Sequence, residues 1–228
     1  MAKTTRTATH ATANEQAEVV TISPPNFKEA VFTIVGTAPY VQNKFSKKVR
    51  DQIHETQASG STARKGKKRE PKDFQRCYEE AIHRAGAEGW IGIPASGLRR
   101  ALISACRIVN FHMTRGKLAL FVLADDFDTD DGSPLVRIVG EPQYSELGVR
   151  NESGVVDLRA RPMWKPGWRA TVRIRFDADM FTVTDVANLL MRAGQQVGIG
   201  EGRPDSPNSC GMGWGTFEIA DRKEAGRD

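Results

Sequence analysis

The chain has 228 residues, 39% hydrophobic and 27% charged, which suits one globular domain with a real core and excludes wholesale disorder. Lys and Arg outnumber Asp and Glu by 33 to 28, a net charge of +5 whose distribution matters more than its size. The three cysteines (Cys77, Cys106, Cys210) are widely spaced and form no CxxC pair, which argues against a disulfide framework or a zinc site and points to a reducing cytoplasm. The longest apolar stretch, at 118–124, is far shorter than the roughly 20 residues a membrane helix needs. The first residues lack the apolar core of a secretory signal. Neither membrane contact nor a cofactor is expected.

Residues 1–26 are rich in Thr and Ala, end at Pro24 and Pro25, and read as a disordered arm. VFTIV at 31–35 is an apolar, β-branched strand, broken by Gly36 and Pro39. Residues 44–72 carry Lys44, Lys47, Lys48, Arg50, Arg64, Lys65, Lys67, Lys68, Arg69 and Lys72 around a linker-like ASGST at 58–62. This stretch reads as a long mobile basic insertion, with a short helix near 47–56. Phe74, Tyr78, Ala81, Ile82 and Ala85 fall at helical spacing over 73–85, and Gly86 supplies a stop. WIGI at 90–93 is a short apolar segment. Pro94 and Ser96 then open a helix with the apolar stripe Leu98, Ala101, Leu102, Ala105 and Val109, and Arg100 and Arg107 lie opposite that stripe.

Strands are predicted at 118–123 and 135–139, separated by an acidic turn, while 141–165 has no clear period. At 170–176 the alternation is clean: Val172, Ile174 and Phe176 share one face, and Thr171, Arg173 and Arg175 form a basic outer face. Thr182 can cap the last helix, with Asp185 completing a capping box and Phe181 and Val186 placed as a hydrophobic staple. Val186, Leu189, Leu190 and Ala193 form its buried stripe, and Gly194 is its expected end. A glycine-dense segment at 198–215 leads into a last strand at 216–219, and 221–228 is a charged tail. The order strand, helix, strand, strand, helix, strand is the βαββαβ pattern of a ferredoxin-like or RRM-like α+β domain. It would span 27–220, with long insertions at 44–72 and 141–165.

The glycine-dense segment is the sharpest chemical feature. Glycines such as Gly200 and Gly202 let backbone approach backbone closely, and with Arg203 among them exposed amides can cradle phosphate. The segment is neither a Walker loop, since no GxxxxGK[ST] occurs, nor a dinucleotide fingerprint, since it leads into a strand. The basic insertion at 44–72 can track a phosphate backbone. Arg159, Arg161, Trp164, Lys165 and Trp168 interleave cations with aromatics, as base-stacking surfaces do, although at least one Trp is expected in the core. Asp126, Asp128, Asp130 and Asp131 fail the EF-hand, because Asp131 stands at its glycine and Arg137 at its final Glu. The four histidines are scattered in sequence. Only His54, near Lys47, Lys48 and Asp51, invites an acid–base reading, so a non-catalytic binder of single-stranded nucleic acid is the leading expectation.

Three anchors, in order, resemble the repeat-associated mysterious protein (RAMP) superfamily, specifically the backbone subunits of class 1 CRISPR effector complexes. IVGTAP at 34–39 looks like that family's first strand and turn. IPASGLRRAL at 93–102 is similar to its helix-opening segment, and 198–215 resembles its glycine-rich loop. The chain departs from the family in being short and in carrying extra residues around Cys210, so a stand-alone relative from a phage or mobile element stays open. The resemblance implies a largely sequence-independent RNA binder whose copies stack head to tail along the strand, with other effector subunits as further partners. It implies strand contacts from Arg99 and Arg100, from the glycine loop with Arg203, and from 141–165 as a thumb-like insertion. Some family members cleave RNA with an early-loop Asp, for which Asp51 is the candidate here. The alternatives are a phage-type single-stranded DNA-binding or annealing protein, a RAMP-like endoribonuclease, and a structural subunit without nucleic acid.

Overall fold

The computed structural model describes residues 22–45, 47–58, 72–86, 88–150, 156–207 and 211–220. In chain order, β1 (Phe27–Gly36) and the short β2 (Tyr40–Val41) precede α1 (Lys47–Ala58) and α2 (Phe74–Glu80). Next come β3 (Arg84–Ala85), β4 (Trp90–Pro94), α3 (Ala95–Ile108), α4 (Met113–Ala119) and β5 (Leu120–Leu123). β6 (Asp126–Phe127), β7 (Pro134–Val139), β8 (Gln143–Arg150), β9 (Val156–Trp164) and β10 (Arg169–Asp177) follow. The chain closes with α5 (Val183–Arg192), a π-helical turn Ala193–Val197, and β11 (Phe217–Ile219).

The fold is mixed α and β, with two antiparallel sheets. β1 lies between β11 and β10, and β10 pairs along its other edge with β5 and β7. β4 and β3 extend the sheet beyond β7, and β6 also pairs with β7. The sheet therefore has eight strands and a longer strand path than a four-stranded βαββαβ core has. β2, β9 and β8 make a second, three-stranded sheet.

The alternation at 170–176 sets the layering. Ala170, Val172, Ile174 and Phe176 are buried with Ile34 from β1 beneath α3 and α5. On α3, Leu98, Ala101, Leu102 and Ala105 are buried, whereas Arg100 and Arg107 face outward. Val109, expected in the same stripe, is the C-cap just past Ile108 and is exposed, because the helix ends before it can turn inward. Thr182 and Asp185 form the capping box of α5, and Phe181 and Val186 are both buried beside it.

Several expectations are corrected. The helix read over 73–85 ends at Glu80, because Ala81, Ile82 and Ala85 are drawn into the core and the backbone turns extended to pair β3 with β4. The first part of the strand read at 118–123 is helical: α4 runs to Ala119 before β5 begins. The stretch 141–165 is a β-hairpin, β8 against β9, with pairing from Gln143–Met163 to Arg150–Val156. Gly194 does not end the last helix; the π-turn carries the helix on to Gly198, where φ reaches +71°. A short helix near 47–56 is present as α1, slightly longer. Most of the proposed N-terminal arm, the ASGST linker from 59 onward and the charged tail lie outside the described residues.

Candidate functional site

The glycine-dense segment folds back on the core. Gly200 (φ +77°) passes so close to β2 that an added Cβ would lie 2.5 Å from the Val41 carbonyl oxygen, and at Gly215 (φ +68°) it would lie 1.7 Å from that of Ile199. Glycine is required at both positions by left-handed φ and by backbone contact. Many of the segment's amides are already used: Ile199 donates to Gly215, Glu201 to Val41, Gly215 to Pro39, and Met212 and Trp214 both to Gly202. The glycines thus mould the wall of a site more than they supply a row of vacant amides.

That wall borders a cleft of about 1180 Å³. α3 forms one side with Gly97, Arg100, Ser104 and Arg107. Tyr40, Gln42 and Asn43 with the hairpin residues Leu147 and Arg159 form another, and 197–203 and 205–207 with Gly211, Met212 and Trp214 form the third. Four arginines reach it from three parts of the chain: Arg100 and Arg107 from α3, Arg159 from β9 and Arg203 from the glycine segment. Two carboxylates temper them. Arg107 donates to Asp205 at 2.9 Å, and Glu201 accepts from Arg159 at 3.1 Å and Arg161 at 2.9 Å. Burial works against the Asp205 carboxylate, but hydrogen bonds from Ser104 and Arg107 outweigh it and hold its pKa below the usual range. Arg203 donates to the Gly200 carbonyl at 3.1 Å, which fixes its side chain against the loop.

Beside the cleft lies a buried polar network that the scattered histidines did not announce. His83, a cleft-lining residue, holds Asp128 through Nδ1 at 2.8 Å, and the Lys44 ammonium lies 2.7 Å from the same carboxylate and 2.6 Å from Asp130. Gln42 accepts from the His83 amide and donates to the Gly92 carbonyl. Burial alone would destabilise the Asp128 anion, but Lys44, the Asp130 amide and His83 overcome it and depress its pKa. Burial also opposes the Lys44 ammonium, and the two aspartates outweigh it and raise its pKa. His83 is pushed down chiefly by burial, with Asp128 opposing. Because an ionised carboxylate only accepts, a neutral His83 carries its proton on Nδ1 and leaves Nε2 as a base. Donor atoms of His83, Asp128 and Asp131 lie within 4.8 Å of one another, a spacing that fits a cation, but Lys44 already brings an ammonium to Asp128.

The residues expected to bind divide as follows. Arg100, Arg107, Arg159, Arg203, Gly200 and Gly202 converge on the cleft, and Arg161 adjoins it through Glu201. Lys44 does not join them, being buried in its ion pairs. Arg99 is engaged by the carbonyls of Lys117 and Leu120, away from the cleft. Lys47 and Lys48 lie in the first turn of α1, Arg50 reaches the Asp130 carbonyl, Lys72 pairs with Asp157, and Lys165 is exposed. Arg64, Lys65, Lys67, Lys68 and Arg69 lie outside the described residues. Asp51 and His54 are exposed on α1. Neither Trp164 nor Trp168 offers a stacking surface: both are buried, donating to the Gly140 and Ala38 carbonyls. No helix among the described residues is long and apolar enough to cross a membrane. No protein-family model matches this chain, and neither does any curated protein.

Proposed function

We propose that this chain binds single-stranded RNA in the cleft, through phosphates and with little regard to sequence. The observation that carries the reading is the convergence of Arg100, Arg107, Arg159 and Arg203, from a helix, a hairpin and a loop, on one cleft walled by a tightly folded glycine segment. Arginine's planar fork suits phosphate oxygens, and arginines placed along one groove suit a repeating backbone. Two features support the ferredoxin-like, RAMP-type reading. One is the neighbourhood β11, β1, β10, β5, with α3 preceding β5 and α5 joining β10 to β11. The other is the hairpin standing where a thumb-like insertion is expected. In this reading the partners are the strand, further copies of the chain head to tail along it, and other effector subunits.

The test is a salt titration of affinity for a single-stranded RNA. Each phosphate contact contributes a slope of roughly −0.7 in log K against log[salt], so four arginines give about −3. An affinity that stays flat with salt sinks the reading, and equal competition by matched DNA reassigns the chain as a single-stranded DNA binder.

One observation favours a second reading. The His83–Asp128 pair beside the arginines is the arrangement a general base needs to take a proton from a ribose 2′-hydroxyl. Magnesium-independent RNA cleavage that His83→Gln abolishes would establish it, and intact RNA after long incubation would remove it.

A further inference from the structure

The basic outer face of β10 lies outside the cleft. At the β5 edge of the main sheet, cations and rings alternate. The Arg99 guanidinium carbon lies 4.8 Å from the Phe121 ring centre, and that of Arg175 lies 5.3 Å from Phe121 and 5.3 Å from Phe27. The two rings meet edge to face at 5.7 Å. The register puts Phe121 and Glu29 directly beside Arg175, on the side of the sheet opposite the buried Val172, Ile174 and Phe176. Nothing in the described chain covers this face: Val31 is 61% exposed and Phe27 38%.

The two arginines are held differently. Arg99 donates to the Leu120 and Lys117 carbonyls and clamps one face of Phe121. Arg175 has no hydrogen-bond or ion-pair acceptor among the described residues, even with Glu29 directly across the ladder. Its guanidinium is oriented by two rings and keeps its N–H fork for an outside acceptor. A stacked guanidinium has less freedom to lose on binding, and its fork matches phosphate oxygens. The exposed Phe27 ring beside it offers a face for a base.

We propose that Phe27 and Arg175 form a second contact for single-stranded nucleic acid, with a base stacked on Phe27 and an adjoining phosphate on the Arg175 fork. None of these residues lines the cleft. The inference rests on the chain being a nucleic-acid binder, but not on the cleft being the site.

The experiment uses the full chain with a uridine-rich RNA of 30 nucleotides, measuring affinity and mapping ultraviolet cross-links by mass spectrometry. Cross-links at Phe27 or Phe121 are expected. Arg175→Gln and Phe27→Leu should each weaken binding by about fivefold or more, the lower end of a base-stacking contribution. Arg175→Lys should fall short as well, because it keeps the charge but not the planar fork, and exposed Arg175 can be changed without unfolding the sheet. Wild-type affinity in these variants, with cross-links confined to cleft peptides, overturns the proposal, and so does full affinity in Arg175→Lys. Weakening by Arg175→Gln alongside an unaffected Arg100→Gln, Arg203→Ala double variant would instead remove the cleft and leave this contact standing. No binding to the RNA at all removes both.

Discussion

The Lys44 ammonium lies 2.7 Å from the Asp128 carboxylate, and both side chains are buried, 3% and 0% exposed. The first cation of a strongly basic stretch is thus a core residue, tying the segment after β2 to the acidic turn after β6. That turn gives up one carboxylate to the interior and keeps Asp130 and Asp131 at the surface.

Removing one partner of this pair should unfold the protein more readily than removing any cleft arginine. Lys44→Met leaves Asp128 buried with only His83 and the Asp130 amide, and loss of one partner of a buried pair costs about 3–5 kcal/mol. Urea denaturation should show that loss. In a double-mutant cycle with Asp128→Asn, the combined variant should lose less than the sum of the singles. Simple additivity would mean that the two side chains do not act as a unit.

His83 gives stability a pH dependence of defined sign. Its folded pKa lies below the ordinary 6.5, chiefly through burial, so the unfolded chain takes up the proton first. Its contribution is therefore complete above pH 6.5 and falls away as the pH drops from there towards the depressed folded value. The thermal midpoint should decline between pH 7.5 and 5.5, and His83→Gln should flatten that decline. An equal slope in the variant would assign the effect elsewhere. The depressed Asp128 pKa adds a second, more acidic loss below the usual carboxylate range.

The glycines of 198–215 should not respond alike to alanine. At Gly213 (φ +75°) an added Cβ meets nothing within 4 Å, so only backbone strain of about 1–2 kcal/mol applies. At Gly215 the same atom would stand 1.7 Å from the Ile199 carbonyl oxygen, and the loop must move. Gly215→Ala should be much the less stable variant in thermal melts. Similar losses at both positions would mean that the loop is not held against itself as described.

How much of this was legible depends on range. The α3 stripe from Leu98 to Ala105 with Arg100 and Arg107 opposite, the β10 alternation, the Thr182 cap and the glycine segment are local patterns, and each stands where the sequence placed it; only Val109, the last residue of the expected stripe, falls past the end of α3 and is exposed. The burial of Lys44 depends on a carboxylate 84 residues away, and that of His83 on one 45 residues away, which no local pattern carries. The hairpin left a trace in Asp157, Arg159 and Arg161 alternating with Leu158, Ala160, Pro162 and Trp164, but a Pro, which has no N–H for a ladder, argues against a strand in sequence. The two tryptophans look like stacking residues because cations surround them in sequence. In the fold their indole N–H groups find carbonyls at Gly140 and Ala38, which lets both rings enter the core.

The sharpest test of the cleft is a variant expected to bind better. Glu201 sits on the glycine segment, with its carboxylate engaged by Arg159 on one oxygen and Arg161 on the other. It therefore neutralises cations that a phosphate backbone would otherwise meet, and it adds a repulsive charge inside the cleft. Glu201→Gln keeps the size and the hydrogen-bonding carbonyl, and raises the local charge by one. For a polyanion this should tighten binding severalfold at low salt and steepen the salt dependence, since more of the arginine charge becomes available to phosphate. The same change removes two ion pairs that are only partly buried, so stability should fall modestly, by about 1 kcal/mol. Affinity and stability thus move in opposite directions, a combination that general loosening of the fold does not produce. The readouts are fluorescence anisotropy with labelled RNA at two salt concentrations and a thermal melt of the same preparation. Weaker binding together with lower stability would mean that Glu201 only orders the arginines, and unchanged binding would place the strand outside this cleft.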